Sequence, residues 1–306
     1  MTSIVANPEK KILCLSGGGM RGLHSLGVLS VFESIVGRSV FDYFDLIVGT
    51  STGGISAIAL AGSAGRGVSD VARLYRTRGS QIFPRSVFTR IRTLGGTVGP
   101  KYPASGVEAA FSAEFSNVLM SGAQKPVAVV AYDVQQRKTQ LITSWNRWNG
   151  MSQAMAARCT SAAPTYFPPV ILTSAGSTMV DGGLTAQNPS MIALDAAHEL
   201  GWGINHVRVL SVGTGFNEGA IPAQPSWGAV EWLPSILDIY SDGVAERDTE
   251  DAQAVLGGRY LHIDSPLDPA FLDMDRTDAV AYDYWQRLGE NIGRAMTAQI
   301  KDWSKV

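Results

Sequence analysis

Gly49-Thr50-Ser51-Thr52-Gly53 places a serine between two glycines, each two residues away. The apolar run Leu46-Ile47-Val48 precedes it and an Ala/Ile/Leu-rich stretch, residues 52–62, follows. A strand that turns sharply into a helix at such a serine projects the hydroxyl beside a helix N-terminus, where a nucleophile is wanted. The bare pattern arises by chance; its strand–turn–helix setting favours a nucleophile over a structural turn. Upstream, Gly17-Gly18-Gly19-Met20-Arg21-Gly22 also follows an apolar segment, Lys10 to Ser16, and opens a helical pattern. Three consecutive glycines suggest backbone N–H groups aimed at a negative oxygen, as an oxyanion hole requires. Arg21 either steadies this loop and attracts an anionic head group, or makes a surface salt bridge. Read literally, Gly17, Gly19 and Gly22 match a dinucleotide fingerprint, but that reading wants an acid at the end of the next strand. The next strand ends in Val48-Gly49 and leads to Ser51 instead.

A third element is Asp181-Gly182-Gly183, leaving the apolar segment Thr178-Met179-Val180. Its carboxylate is placed to accept the Ser51 proton, or it makes a plain Asx turn. A conventional triad needs a histidine, and the chain has four: His24, His198, His206 and His262. His198 lies in a helical pattern, His206 begins a strand and His262 alternates within Tyr260–Ile263. His24 faces outward one turn beyond the glycine loop or caps it. None follows a strand into a loop as a triad histidine does, so a Ser–Asp pair without histidine is a consistent reading. Two alternatives are a histidine-dependent hydrolase using His198, His206 or His262 and a nucleotide-binding sensor or oxidoreductase using the glycine loop. A third is a non-catalytic storage protein on the same scaffold.

The elements that must position these residues form an α/β pattern. Strand-like runs at 10–16, 46–48, 127–132, 138–143 and 207–212 alternate with helical patterns. Those cover 20–36, 52–62, 150–163, 227–256 and 277–303. Such alternation specifies a mostly parallel central sheet with helices on both faces, a three-layer sandwich. Val280, Tyr284, Leu288, Ile292 and Met296 fall at steps of four, a stripe expected to dock on the core or on a second subunit. With 306 residues, 45% hydrophobic and 17% charged, and no linker or repeat, one domain is expected over residues 1–306. Its motifs lie within 10–215, and a mainly helical part, 216–306, packs on them. The net charge of −2 argues against a nucleic-acid polymer as partner. Cys14 and Cys159 read as buried thiols of a reducing compartment, with no metal-ligand spacing. The N-terminus lacks a signal-peptide pattern and no stretch of 18 apolar residues occurs, so a cytoplasmic protein is expected.

Taken together, the three glycine-flanked motifs resemble the patatin-like phospholipase family: G-G-G-x-R/K-G, then G-x-S-x-G, then D-G-G/A. Ser161-Ala162-Ala163-Pro164-Thr165-Tyr166-Phe167, Asn188-Pro189 and Leu210-Ser211-Val212-Gly213-Thr214-Gly215 are similar to further family segments. Ser16 stands where many members carry aspartate. The resemblance spans roughly residues 10–215. It implies acyl-ester hydrolysis of lipids by a Ser51–Asp181 dyad without metal or cofactor, the oxyanion being held by Gly18 and Gly19 with Gly17 and Met20 nearby. Arg21, Gly22, Gly49, Gly53, Gly182 and Gly183 support that site. A carboxylate with an ordinary pKa near 4 is a poor base, so Asp181 must be partly desolvated or act mainly by orienting the hydroxyl.

From Val71 to Val107 stand Arg73, Arg76, Arg78, Arg85, Arg90, Arg92 and Lys101, without an acid. Three readings follow: a solvated helix and loop, a membrane-facing lid with Ile82, Phe83, Val87, Phe88 and Ile91 dipping into lipid, or a nucleotide-phosphate pocket. Some bacterial members of the family are membrane-degrading antiviral effectors switched on by cyclic nucleotides. A lipid substrate at the membrane surface, a cyclic nucleotide activator and a homo-oligomer are the partners this suggests. The acid-rich stretches 238–251 and 264–283 would then close over the basic segment, in the same molecule or a neighbour.

Overall fold

The computed structural model describes residues 9–62, 66–84, 99–221 and 223–305. Its strands are β1 (Lys10–Leu15), β2 (Leu46–Thr50), β3 (Val127–Asp133), β4 (Lys138–Thr143), β5 (Val170–Leu172), β6 (Ser177–Asp181), β7 (Val207–Val212) and β8 (Tyr260–Ile263). Helices α1 (Gly22–Val36), α2 (Val40–Tyr43), α3 (Thr52–Ala61), α4 (Val68–Ile82) and α5 (Ala104–Phe115) come from the first part of the chain. After them come α6 (Gln153–Thr160), α7 (Ser190–Glu199), α8 (Ala229–Leu256), α9 (Ala279–Ala295) and α10 (Thr297–Ser304). By pairing, the strands run β5-β6-β3-β2-β1-β7-β8, with β4 added to β3. The pairs β1–β2, β1–β7, β2–β3 and β7–β8 are parallel. Those of β3 with β4 and β6, and of β5 with β6, are antiparallel.

Alternation along β1 shows why the sheet is covered twice. Leu13 and Leu15 join a core with α1, α3, α4 and α9. Ile12 and Cys14 face a second core closed by α7 and the C-terminal half of α8. Successive side chains of a strand point to opposite faces, and a sheet apolar on both faces buries both.

Strand registers bring the chemistry together. β4 pairs along residues 128–133 of β3 and takes one edge. The other edge is shared: β2 pairs up to Thr50↔Val130, and β6 pairs from Asp133 back to Ala131↔Asp181. The ends of β2 and β6 therefore meet at adjacent residues of β3, from opposite directions. That places Ser51 and Asp181 side by side although 130 residues separate them.

Four residues of the expected stripe, Tyr284, Leu288, Ile292 and Met296, pack against the core, and the fifth does not. Val280 is 65% exposed, and the buried seam of α9 runs through Ala281, Tyr282, Trp285, Gly289 and Gly293. Close approach to α1 sets this choice, since a Cβ on Gly289 would lie 2.0 Å from the His24 carbonyl oxygen. Tyr284, Leu288, Ile292 and Met296 lie half-buried on the shoulder of that contact. The helical pattern at 277–303 is also two helices, breaking at Met296.

Candidate active site

Ser51 occupies the turn between β2 and α3 at φ 54 and ψ −121, a conformation that costs a non-glycine residue roughly 1–3 kcal/mol. The turn is tight because its glycines admit backbone contact: a Cβ on Gly49 would lie 2.2 Å from Gly53 O, and one on Gly53 2.1 Å from Leu15 O. The second contact also presses the serine turn against the end of β1, where the glycine loop starts. Thr160 holds the strain in place. Its Oγ1 accepts from the Ser51 amide at 2.9 Å and donates to Val130 O at 2.5 Å.

The Ser51 hydroxyl donates to Asp181 Oδ2 at 2.6 Å. Asp181 Oδ1 accepts from the Gly183 amide at 2.7 Å, so both carboxylate oxygens are engaged. The Asp181 backbone is pinned as well, its N–H donating to Ala162 O at 3.1 Å. Burial raises the Asp181 pKa to about 6, against the opposing effect of the hydrogen bonds from Ser51 and Gly183. Desolvation thus makes this carboxylate a better base than its ordinary chemistry allows, while leaving it ionised at neutral pH.

Among the described residues no histidine hydrogen-bonds to Ser51. His24, expected to face outward or cap the loop, is fully buried. Its Nδ1–H donates to Gly213 O at 3.1 Å and its Nε2 accepts from Ser265 Oγ at 2.8 Å. Burial lowers its pKa to about 4. His262 donates from Nδ1 to Ser211 Oγ at 3.0 Å, and burial lowers its pKa too.

Of the four amides expected to face an oxyanion, two are already committed. Gly17 N–H donates to Gln187 O at 3.2 Å and Met20 N–H to Met274 O at 2.7 Å. The Gly18 and Gly19 amides have no acceptor among the described residues. Positive φ values of 150 and 60 turn these two glycines out of line with their neighbours, and a Cβ on Gly19 would collide with Met274 O at 2.4 Å. Thr214 supports the loop from below, donating to Gly17 O at 2.6 Å. Gly22 starts α1, and Gly182 and Gly183 form the 3-10 turn after Asp181. Thr160, Gln187 and Met274 carry no mark in the sequence: they act by backbone contacts that no local motif announces, whereas Thr214 stands within the 210–215 segment that the family resemblance includes.

The basic segment does not face the dyad as a bare cationic surface. Arg73 pairs with Asp70, Arg76 with Asp283 at 2.9 Å, and Arg78 with Glu114 at 2.8 Å. Lys101 pairs with Asp275. Two of these four acids come from the acid-rich C-terminal stretch of the same molecule. Arg85, Arg90 and Arg92 lie outside the described residues.

A family model described as patatin-like phospholipase matches residues 13–194. Among similar proteins is a cGAMP-activated phospholipase of Pseudomonas aeruginosa, 28% identical, with 86% of this chain and 80% of the relative covered. A cGAMP-activated phospholipase of Vibrio cholerae is 35% identical over 67% of this chain and 64% of its own length. A cUMP-AMP-activated phospholipase of Escherichia coli is 30% identical over 75% of this chain and 73% of its own length. The match to the Vibrio protein thus spans just under two thirds of that relative.

Proposed function

The chain belongs to the patatin-like phospholipase family and is a lipid ester hydrolase; from that premise we propose that a Ser51–Asp181 dyad cleaves acyl esters of membrane phospholipids. Asp181 takes the Ser51 proton as Oγ attacks the ester carbonyl. The Gly18 and Gly19 amides receive the oxyanion. Collapse of the tetrahedral intermediate expels the lysolipid alkoxide, which recovers the proton from Asp181. Water, deprotonated by the same carboxylate, then attacks the acyl-enzyme, releasing fatty acid and restoring Ser51. The observation that carries this reading is the 2.6 Å contact from Ser51 Oγ to a desolvated carboxylate, together with two glycine-loop amides that have no acceptor among the described residues.

Among the described residues no helix is long and apolar enough to cross a membrane. In our reading the enzyme meets its substrate from the aqueous side of the bilayer. The names of the bacterial relatives carry a second element of the proposal, that a cyclic dinucleotide switches the enzyme on; the family resemblance adds the role of an effector of antiviral defence. Fatty-acid release from phospholipid vesicles, with and without cGAMP or cUMP-AMP, tests both elements. Release that one of these nucleotides stimulates and that Ser51→Ala abolishes is the expected outcome. Release insensitive to Ser51→Ala would refute the dyad; release indifferent to both nucleotides would remove this form of control.

A further inference from the structure

Residues 186–188 lie across the ends of β1 and β2. Ala186 O accepts from Thr50 Oγ1 at 2.7 Å, one residue before the nucleophile, and Gln187 O accepts from the Gly17 amide at 3.2 Å. Asn188 is buried, its Nδ2 donating to Thr249 Oγ1 at 2.8 Å and to Tyr260 OH at 3.2 Å. With three successive residues held, the Gln187 side chain is carried to one place, between the glycine loop and the turn after Asp181.

Two glycines locate its carboxamide. A Cβ on Gly17 would lie 2.6 Å from Gln187 Oε1, and one on Gly183 would lie 2.6 Å from the same atom. That Gly183 Cβ would also lie 3.1 Å from Asp181 Oδ1. The two oxygens therefore stand within about 5.7 Å of each other, those distances laid end to end, a separation that one water making two hydrogen bonds of about 2.8 Å spans. Neighbouring polar side chains are spent. Arg21 makes no ion pair among the described residues; it donates from Nε to Gly18 O at 3.4 Å and from Nη1 to Leu272 O at 3.5 Å. Thr214 donates to Gly17 O. Gln187 is half-buried, and its carboxamide has no hydrogen-bond partner among the described residues.

Hydrolysis of an acyl-enzyme needs a water whose lone pair faces the carbonyl carbon while both its protons point elsewhere. Asp181 accepts one of those protons. An amide oxygen suits the other, because it accepts a hydrogen bond without competing as a base. We propose that Gln187 Oε1 holds the second proton of the deacylating water, which makes Gln187 a catalytic residue of the second half-reaction. As the water oxygen bonds to the acyl carbon, Asp181 takes the first proton. Collapse then breaks the bond from that carbon to Ser51 Oγ, which recovers the proton from Asp181, and the second proton leaves with the fatty acid. This inference rests on the acyl-hydrolase reading of Ser51 and Asp181.

An alcohol has a single O–H proton, which Asp181 takes, so methanolysis of the same acyl-enzyme does not call on Gln187. The test measures methyl ester against free fatty acid formed from a p-nitrophenyl acyl ester in buffer containing methanol. Their ratio reads how one acyl-enzyme divides between two nucleophiles, whatever fraction of the protein is folded. Gln187→Met keeps the length of the side chain and removes the amide oxygen. It should raise the ratio of methyl ester to fatty acid about tenfold, as loss of one hydrogen bond predicts. Gln187→Glu restores an acceptor and should bring the ratio back toward that of the wild type. Its added carboxylate beside Asp181 should also move the pH midpoint of kcat upward, which a merely structural side chain would not do. An unchanged ratio in Gln187→Met, or an equal loss of both products, would overturn the proposal. Both products persisting in Ser51→Ala would instead strike the hydrolase reading itself.

Discussion

On one side of the glycine loop, Ser51 and Asp181 share a hydrogen bond at the ends of β2 and β6; on the other, His24, Ser265 and Asp264 share theirs beneath β7 and β8. The second group has the residue types of a triad. His24 Nε2 bonds to Ser265 Oγ at 2.8 Å, and the Ser265 amide bonds to Asp264 Oδ1 at 2.9 Å. Yet His24 is 0% and Ser265 5% exposed, Ser265 spends its hydroxyl on the imidazole, and His24 spends its other nitrogen on a carbonyl. The first group lacks a histidine. Its serine is half-buried and held at positive φ, and the Gly18 and Gly19 amides have no acceptor among the described residues. What separates a site from a structural network is access, a strained backbone and open donors, rather than the roll of side chains. The buried network also has work to do: Ser25 and His24 both hold Gly213 O, next to the Thr214 that supports Gly17.

That contrast can be broken first at Asp181. Asp181→Asn should lower kcat on a soluble ester by on the order of 10²–10⁴-fold, the range expected for loss of a general base. The same substitution should stabilise the fold. The folded carboxylate titrates at about 6, above its ordinary value near 4, so the folded state loses stability as pH rises through that window. A neutral amide escapes this loss, and at pH 8 thermal unfolding should report a gain of up to about 3 kcal/mol. A joint loss of activity and stability would contradict the assigned roles.

A smaller effect is expected at Thr160. Thr160→Val removes the bond that holds the Ser51 amide, and kcat should fall about tenfold, as loss of one hydrogen bond predicts. KM should hardly move, because the threonine orients the nucleophile and touches no substrate. A change confined to KM would reassign it to binding. The smallest catalytic effect belongs to the buried network: His24→Ala should leave kcat within about threefold and cost roughly 1–3 kcal/mol in urea unfolding, by leaving Ser265 Oγ without its partner and Gly213 O with Ser25 alone. A large kcat loss in a variant of normal stability would erase the distinction between the two groups.

Much of the site is legible in the sequence. Gly-x-Ser-x-Gly declares itself locally because a nucleophile turn needs glycines at fixed offsets, and the three-glycine loop declares itself for a similar reason. Asp181 was readable only in company: Asp-Gly-Gly is weak alone, and the end-to-end meeting of β2 and β6 on β3 is a long-range register that no local pattern encodes. The spent amides of Gly17 and Met20 were invisible for the same reason, since their acceptors lie at Gln187 and Met274. The burial of His24 is not legible locally because its partners, Gly213 and Ser265, come from the segments that follow β7 and β8. The stripe on α9 is legible in part: Tyr284, Leu288, Ile292 and Met296 do pack on the core, but hydrophobicity does not mark the fully buried seam beside them, which uses Gly289 and Gly293 for close approach to α1.

The most direct measurement is the rate at which a fluorophosphonate labels Ser51 as a function of pH. Only the ionised carboxylate can take the hydroxyl proton, so labelling should rise with pH with a midpoint near the value of about 6 set by Asp181. It should collapse in Asp181→Asn and keep the same midpoint in His24→Ala. Labelling at the wild-type rate in Asp181→Asn, or a midpoint that moves with His24, would contradict the account.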